Sequence, residues 1–254
     1  ILFLHLFWIV LIFFSIIYAQ ERTFADAGAY LFKVVNHVSF DIQHSRSVLA
    51  ISQLAALIAT IADLGLHKII VIDSLWNCLT FYGIVVWLFH VIKDYKAAYL
   101  LTFLLTAHYL AYFSPFLEVF YGCAFMILFV SASNNQQHFE KYAIGYYVIL
   151  WLALFSHPLV MGAYLYYIVI LFIDNKAFTL QLKKLVLFFF CALFIKILIV
   201  NPYETGRFIT SFNSSLEDYI RLYTNLIQVF MQHSKPIILL FLGTISLLIF
   251  QRKY

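Results

Sequence analysis

The chain alternates long apolar runs with short polar segments, and the length of the apolar runs is the strongest constraint on its fold. A helix needs roughly 20 consecutive, mostly apolar residues to cross the hydrocarbon core of a bilayer. Runs that approach this length and composition lie at 1–19, 48–66, 69–92, 97–113, 116–132, 142–155, 158–173, 183–200 and 236–250. The pattern predicts an all-α fold, a polytopic bundle of about eight transmembrane helices with juxtamembrane helices on the outer face.

Composition supports a lipid bilayer as the surroundings of this chain. Hydrophobic residues make up 64% of the 254 residues and charged residues only 11%, whereas a soluble domain carries roughly 25% charged residues. The net charge of +4 is small and dispersed, which argues against a nucleic-acid partner. Cys78, Cys123 and Cys191 each lie inside an apolar run, so we interpret them as buried packing residues rather than disulfides or metal ligands.

Basic residues predict which side of the membrane each turn faces, because cytoplasmic loops carry an excess of lysine and arginine. Lysines mark three turns, at Lys93 and Lys96, at Lys141, and at Lys176, Lys183 and Lys184. The turns at 114–115 and 156–158 carry no lysine or arginine and are expected to face outward. With this orientation the long polar segments 20–47 and 201–235 lie outside, so the functional site is expected on the outer face. The expected location is a bacterial plasma membrane.

The orientation leaves segment 48–66 without an ordinary crossing. If 1–19 leaves the cytoplasm, 69–92 must return inward to end at Lys93. Segment 48–66 is then a helix packed in or along the outer leaflet, although an ordinary ninth span stays open. Residues 1–19 are interpreted as an uncleaved span, because the run is longer than the roughly 7–15 residues of a signal-peptide core.

The predicted organisation is a single transmembrane domain. Its parts are a first span at 1–19, an outer-face loop with juxtamembrane helices at 20–68, a helix bundle at 69–200, an outer loop at 201–235 and a last span at 236–250. Because the chain begins with Ile1 rather than methionine, it is expected to be a piece of a longer protein.

Polar residues collect in segment 20–47, where a helix is predicted from Thr23 to about Val38. Its apolar stripe is formed by Phe24, Ala27, Leu31, Val34, Val35 and Val38, and its polar side by Asp26, Tyr30, Lys33 and His37. This spacing is typical of an amphipathic helix that lies on the membrane surface. Asp26 has two interpretations, a helix-capping partner in a Thr-x-x-Asp pattern or a positioned carboxylate with a chemical role, and the two are compatible.

Glu118 stands at the outer start of an otherwise apolar helix, after Ser114 and Pro115. A carboxylate at such a depth is costly unless it is paired or hydrated, which favours a functional role over simple extension to the interface. Asp73 lies at a similar depth and supports a weaker version of the same argument. His157, in a tight Ser-His-Pro turn, is more typical of a polar turn residue than of a catalyst.

The order of these parts resembles the membrane-embedded C-type glycosyltransferases (GT-C fold) over roughly the first 135 residues. Members of that class have a first span, an acidic residue early in an outer loop of juxtamembrane helices, and a second acidic residue at the outer start of a later helix. Asp26 in Phe24-Ala25-Asp26-Ala27 and Glu118 occupy the corresponding places. The chain departs from the class at Asp73, where members often carry arginine, and at 44–46, where they carry a Pro-Pro pair.

The resemblance implies an inverting transfer of a sugar from a polyprenyl-phosphate-linked donor to a glycan or lipid acceptor. Asp26 would be the base or a metal ligand, with Glu118 as its catalytic partner. The residues expected to bind substrate are Lys33, His44, Arg46, His157 and Arg207. A divalent metal ion, Mg²⁺ or Mn²⁺, could be held by Asp26 and Glu118, although no spacing in the sequence requires one.

Two other functions stay open. In a transporter or flippase, Asp73, Glu118 and Lys196 would line a path through the bundle, and such charges would lie near the midplane of the membrane. In a non-catalytic scaffold subunit, the outer carboxylates would not converge. The depth of the charges and the distance between Asp26 and Glu118 discriminate among these functions.

Overall fold

The computed structural model of the chain describes residues 2–23, 26–107, 118–175 and 180–199, and every regular element in these ranges is a helix. The α-helices are α1 (Leu2–Ile17), α2 (Asp26–His37), α3 (Leu49–Ile61), α4 (Leu66–Val86), α5 (Tyr95–Ala107), α6 (Glu118–Ser133), α7 (Gln136–Lys141), α8 (Ala143–Leu154), α9 (Pro158–Asn175) and α10 (Leu180–Leu198). Short 3₁₀ turns lie at Glu21–Thr23 and Gln43–Ser45, and a π-helical turn, Trp87–Ile92, continues α4. The predicted all-α class is confirmed for this part of the chain.

The described residues between 2 and 199 belong to one compact unit. The predicted outer loop at 201–235, with Arg207, and the predicted last span at 236–250 lie outside the described residues.

One helix in the described ranges is long and apolar enough by itself to cross a membrane. It is α4 with its π-helical continuation, Leu66–Ile92, of 27 residues. Other apolar helices, among them α1, α3, α6 and α8, have between 10 and 17 residues. Over the described residues, the helix lengths therefore establish an all-helical fold with one helix of spanning length, and they do not show the predicted bundle of about eight spans.

Local sequence chemistry sets several helix ends. Helix α9 begins at Pro158, where the missing backbone N–H of proline costs no hydrogen bond. Helix α3 ends because Asp63 adopts a left-handed conformation with φ of 52°. The N–H of Leu64 then bonds to the carbonyl of Ala59 at 3.1 Å, and that of Asp63 to Thr60 at 2.9 Å, which is a Schellman motif. Asp63 is thus a turn residue.

The main hydrophobic core lies between α1, α4, α5, α6, α8, α9 and α10. Its largest fully buried side chains include Leu4, Leu88, Leu101, Tyr121, Phe129, Leu150, Tyr164 and Leu185. Helix α6 approaches the turn between α8 and α9 closely at Gly122, where an added Cβ would lie 1.9 Å from Ser156 Oγ and 2.7 Å from Val160 Cγ2. No larger residue fits there without displacing that turn.

Polar contacts fix helix α1 against α4 and α5. At one end, Ser74 Oγ on α4 donates to the carbonyl of Ser15 at 2.6 Å. Midway, Trp8 Nε1 donates to Thr102 Oγ1 on α5 at 3.0 Å. At the other end, His5 Nδ1 lies 2.9 Å from the hydroxyl group of Tyr82. These contacts show that α1 runs antiparallel to the second half of α4.

Helices α2 and α3 pack against the first half of α4. Trp76 Nε1 on α4 donates to the carbonyl of Ile51 at 2.7 Å, and a separate small core further along contains Leu31, Val34, Ala56, Ala59 and Ile69. Helix α3 is therefore antiparallel to the first half of α4. With 13 residues it is about 20 Å long, shorter than the roughly 30 Å hydrocarbon core of a bilayer.

The three cysteines of the chain are free thiols in this structure, and they differ in burial. Cys78 is buried and Cys123 partly buried, whereas Cys191 is exposed on α10. The interpretation of Cys191 as a buried packing residue was therefore wrong. An apolar run predicts a helix but not which of its faces turns outward.

Candidate functional site

The carboxylate of Glu118 joins three distant parts of the chain. Glu118 is the first residue of α6 and is only 6% exposed. Its Oε1 accepts a hydrogen bond of 3.0 Å from the hydroxyl group of Tyr30 on α2. The same oxygen lies 3.1 Å from Nη1 of Arg46, which precedes α3. A single carboxylate oxygen thereby connects the predicted outer-face loop to the start of α6.

The ion pair between Arg46 and Glu118 is largely excluded from water. The exposed fractions of the two side chains are 11% and 7%. An ion pair of this kind is retained where both partners gain further hydrogen bonds, and the Tyr30 hydroxyl supplies one. Two residues that the sequence analysis assigned to the site, Arg46 and Glu118, are thus in direct contact.

Asp26 lies one helical turn from Tyr30, on the same side of α2. It is the first residue of the helix and is exposed. Burial raises the pKa of the Tyr30 phenol, the charge of Glu118 and the hydrogen bond to it raise that pKa further, and the charge of Asp26 adds a smaller increase. The Arg46 charge acts in the opposite direction. Tyr30 is therefore a protonated donor within electrostatic range of both predicted catalytic carboxylates.

The first turn of α2 is held against the preceding 3₁₀ turn, Glu21–Thr23, by a close approach at Gly28. A Cβ added to this residue would lie 2.4 Å from the backbone oxygen of Thr23. Only glycine permits this distance. Gly28 is two residues from Asp26, so the contact fixes where the Asp26 backbone lies.

Lys33 forms an ion pair with the loop between α2 and α3. Its Nζ lies 3.4 Å from Oδ2 of Asp41. The same Asp41 oxygen accepts from Gln43 Nε2 at 2.9 Å, and the amide of buried Gln53 forms two hydrogen bonds with the Asp41 backbone, of 2.8 and 3.0 Å. These contacts fix the loop that leads to Arg46, so the structure places Lys33 in a supporting position.

His44 lies in a strained turn immediately before Arg46. His44 and Ser45 have φ angles of 53° and 56°, in the left-handed region that costs roughly 1–2 kcal/mol per non-glycine residue. Such strain persists only where the surrounding contacts impose it, and it often occurs at functional sites. The turn reverses the chain so that the Arg46 side chain reaches Glu118.

His157 lies at the same end of the bundle as Glu118. Its Nδ1 accepts a hydrogen bond of 3.2 Å from the backbone N–H of Leu159 at the start of α9. The preceding residue, Ser156, packs against Gly122, which is one turn from Glu118 on α6. These contacts fit the predicted alternative, in which His157 is a polar turn residue.

A second polar cluster joins α3, α4 and α6 through Asn77, a residue that was not predicted to belong to the site. Asn77 Nδ2 donates to the carbonyl of Asp73 at 2.9 Å and to that of Ser52 at 3.3 Å. Asn77 Oδ1 accepts from the hydroxyl group of Tyr121 on α6. Tyr121 is three residues from Glu118, so this cluster fixes α6 relative to α3 and α4.

Tyr30 and Arg22 are the other functional candidates that sequence analysis missed. Tyr30 was grouped with the polar face of α2 but had no assigned role. Arg22 is 3% exposed, and its Nε donates to Ser74 Oγ at 2.8 Å. The sequence carried one signal, the four-residue spacing of Tyr30 from Asp26, which names no partner, whereas the burial of Arg22 is evident only in the structure.

The residues around Glu118 do not fit a divalent metal ion. Within the described ranges, no group of three or more His, Cys, Asp or Glu side chains is arranged to hold one. The Arg46 guanidinium already lies against Glu118 Oε1, so positive charge occupies the position that a metal ion bound to this oxygen would take.

The site thus combines an exposed carboxylate, a phenol that stays protonated, and an arginine fixed by a buried carboxylate. Comparison with known proteins adds no assignment: no family model, no curated protein and no solved structure matches this chain.

Proposed function

We propose that the chain is an integral membrane glycosyltransferase of the GT-C type. It transfers a sugar from a polyprenyl-phosphate-linked donor to a glycan or lipid acceptor at the outer face of the membrane. The observation that carries the proposal is the contact of Tyr30 and Arg46 with one oxygen of Glu118, one helical turn along α2 from the exposed carboxylate of Asp26. A base and a fixed cation at one place are what transfer from a phosphate leaving group requires.

The outer surface of the bundle supports a bilayer environment. Large apolar side chains point away from the core along α1, α8, α9 and α10, with Phe3 76% and Ile144 84% exposed. A soluble monomer rarely leaves apolar patches of this extent open to water. Helices of 16–19 residues, such as α1, α6, α9 and α10, are about 24–28 Å long, close to the thickness of the hydrocarbon core.

The distribution of charge supports the proposed orientation. Lys93, Lys96 and Lys141 lie at the end of the bundle where α4 and α6 finish, and Glu118 lies at the opposite end, where α6 begins. By the positive-inside rule the lysine end faces the cytoplasm. The module of α2, α3 and the first half of α4 then belongs to the outer face. Within this module, α3 packs against the first half of α4, which is the outer half in this orientation.

In the proposed reaction, the Asp26 carboxylate takes the proton from the acceptor hydroxyl group. The acceptor oxygen bonds to the anomeric carbon of the sugar while the bond from that carbon to the phosphate oxygen breaks. The electron pair leaves on the phosphate oxygen, and the positive charge of Arg46 stabilises it. A single displacement inverts the anomeric centre. Glu118 acts as a positioning residue, because its carboxylate already holds Arg46 and accepts from Tyr30.

The test compares Asp26→Asn with Glu21→Gln. Both carboxylates are exposed, and Glu21 lies nearby in the 3₁₀ turn before α2. The full chain in nanodiscs would be given polyprenyl-phosphate mannose or glucose, radiolabelled in the sugar, with a membrane glycolipid extract as acceptor. We expect Asp26→Asn to lower transfer at least 100-fold, and Glu21→Gln to change it less than twofold. Undiminished transfer by Asp26→Asn would refute Asp26 as the base.

Transport is the second candidate, and one observation favours it. Asp73 on α4 is 2% exposed, and its Oδ1 has no hydrogen-bond partner within the described residues. A buried carboxylate oxygen of this kind in a membrane helix is a common ion or proton site. Proton uptake by proteoliposomes that Asp73→Asn abolishes, with no sugar transfer by the wild-type chain, would establish transport instead.

A further inference from the structure

An apolar groove lies on the flank of the bundle, at the end away from Glu118. It is enclosed by α4 with its π-helical turn, α6 and α8, and its volume is about 440 Å³. Its walls are Thr80, Gly83, Ile84, Trp87, Leu128, Tyr142, Gly145, Tyr146 and Ile149. From Thr80 to Trp87 the groove runs about 10 Å along α4. Its size and shape suit a flexible hydrocarbon chain.

Two glycines on opposing helices create the groove. Gly83 on α4 and Gly145 on α8 both line it, and a Cβ added to either would meet no atom within 4 Å. Glycine in a helix interior costs roughly 0.5–1 kcal/mol relative to alanine. Helix glycines usually allow two helices to pack closely, but no described helix packs closely against either of these two. Their effect is instead to leave open the space that forms the groove.

The groove ends in aromatic and basic groups. Trp87 Nε1 donates to the hydroxyl group of Tyr146 at 3.2 Å. The ammonium group of Lys141 lies 5.1 Å from the centre of the Tyr142 ring. The His138 ring is 4.9 Å from the same ring, and its buried Nε2 has no hydrogen-bond partner in the described ranges. Tryptophan, tyrosine and lysine together are typical of the level of lipid headgroups.

We propose that this groove binds one acyl chain of an anionic glycerophospholipid from the cytoplasmic leaflet. The acyl chain lies between Gly83 and Gly145, and the phosphate lies beside the exposed Lys141. The positive charge of Lys141 at the mouth selects an anionic headgroup over a zwitterionic one. The inference rests on the membrane environment in the proposed function, but it requires no sugar transfer and involves the opposite end of the bundle.

The test is photo-crosslinking of the full chain in phosphatidylcholine nanodiscs. The probe is phosphatidylglycerol with a diazirine in one acyl chain, and the same probe with a phosphatidylcholine headgroup is the comparison. We expect labels on the α4 and α8 walls of the groove, at least fivefold stronger with the phosphatidylglycerol probe. Lys141→Gln should reduce its labelling to the level of the phosphatidylcholine probe.

Filling the groove provides the matched control. Gly83→Leu with Gly145→Leu should reduce labelling of the walls at least fivefold. Gly162→Leu on α9 should not, because Gly162 also has no neighbour within 4 Å but lies outside the groove. If the double variant does not fold, Lys141→Gln, at an exposed position, decides the result.

Two results would overturn the proposal. One is labelling that the groove-filling variant leaves unchanged, and the other is equal labelling by the two probes. The consequences for the two proposals are separable. Release of the chain from membranes by alkaline carbonate would refute both proposals. Sugar transfer by a membrane-bound chain without labelling of the groove would refute only the lipid site.

Discussion

The hydroxyl group of Tyr30 donates a 3.0 Å hydrogen bond to the buried carboxylate of Glu118, 88 residues further along the chain. This bond ties the amphipathic helix α2 to the first turn of α6. Asp26 lies one turn before Tyr30 on α2, so the position of the proposed base depends on the same bond. Arg46, held by the same carboxylate oxygen, completes the connection between the outer-face module and the bundle.

The raised pKa of Tyr30 predicts a loss of stability at alkaline pH. The unfolded phenol titrates near its ordinary pKa of 10.0, whereas burial and Glu118 raise the pKa of the folded phenol. The stabilising contribution is complete below pH 10 and is lost as pH rises from there toward the folded pKa. The free energy of unfolding should therefore fall in this window by up to about 1.4 kcal/mol per pH unit more than in Tyr30→Phe. Unfolding in dodecyl maltoside by sodium dodecyl sulfate from pH 8 to 11 measures it, and identical slopes would contradict the assignment.

The ion pair between Arg46 and Glu118 should be strongly coupled. Removing one partner of a buried pair leaves an uncompensated charge and costs roughly 3–5 kcal/mol. We expect Glu118→Gln to cost this much, and Arg46→Met with Glu118→Gln to cost less than the sum of the single changes. The matched control is Lys33 with Asp41, whose side chains are 42% and 26% exposed, for which coupling below about 1 kcal/mol is expected. Equal coupling in the two double-mutant cycles would count against the buried pair.

A methyl group at residue 28 should displace Asp26. In Gly28→Ala the new Cβ meets the backbone oxygen of Thr23 at 2.4 Å, so the first turn of α2 must move. A displacement of about 1 Å at a reacting group can lower a rate roughly 100-fold. We expect sugar transfer to fall between 10- and 100-fold in this variant. The control is Gly162→Ala, at a position with no neighbour within 4 Å, which should retain activity. Full activity of Gly28→Ala would show that the contact with Thr23 does not position the base.

The proposed orientation predicts which loops an impermeant thiol reagent reaches. Ser39 lies in the outer-face module and Asn134 at the lysine end of the bundle, and both residues are exposed. In a Cys191→Ala background, which removes the exposed native thiol, Ser39→Cys should be labelled in intact cells. Asn134→Cys should be labelled only after permeabilisation. The reverse pattern would invert the topology and with it the proposed site of the reaction.

The sequence predicted the helices well, because their signals are local. Each apolar run before residue 200 contains a helix, and α9 begins at Pro158 within the predicted turn. The boundary between α3 and α4 was less well predicted, since it depends on the left-handed conformation of Asp63. A sequence pattern does not distinguish an aspartate that ends a helix in this way from an exposed acidic residue.

The sequence by itself determined the helical class, the polar character of segment 20–47 and the choice of Asp26 and Glu118 as candidate residues, whereas Arg46 was a candidate only through the family resemblance. Helical periodicity and residue polarity are sufficient for these conclusions. Only the tertiary structure decided that Arg46 and Tyr30 share one oxygen of Glu118, and that Lys33 instead holds Asp41. The physical reason is that periodicity relates residues three or four apart on one helix, whereas these contacts depend on how side chains of α2, α3 and α6 pack around one another.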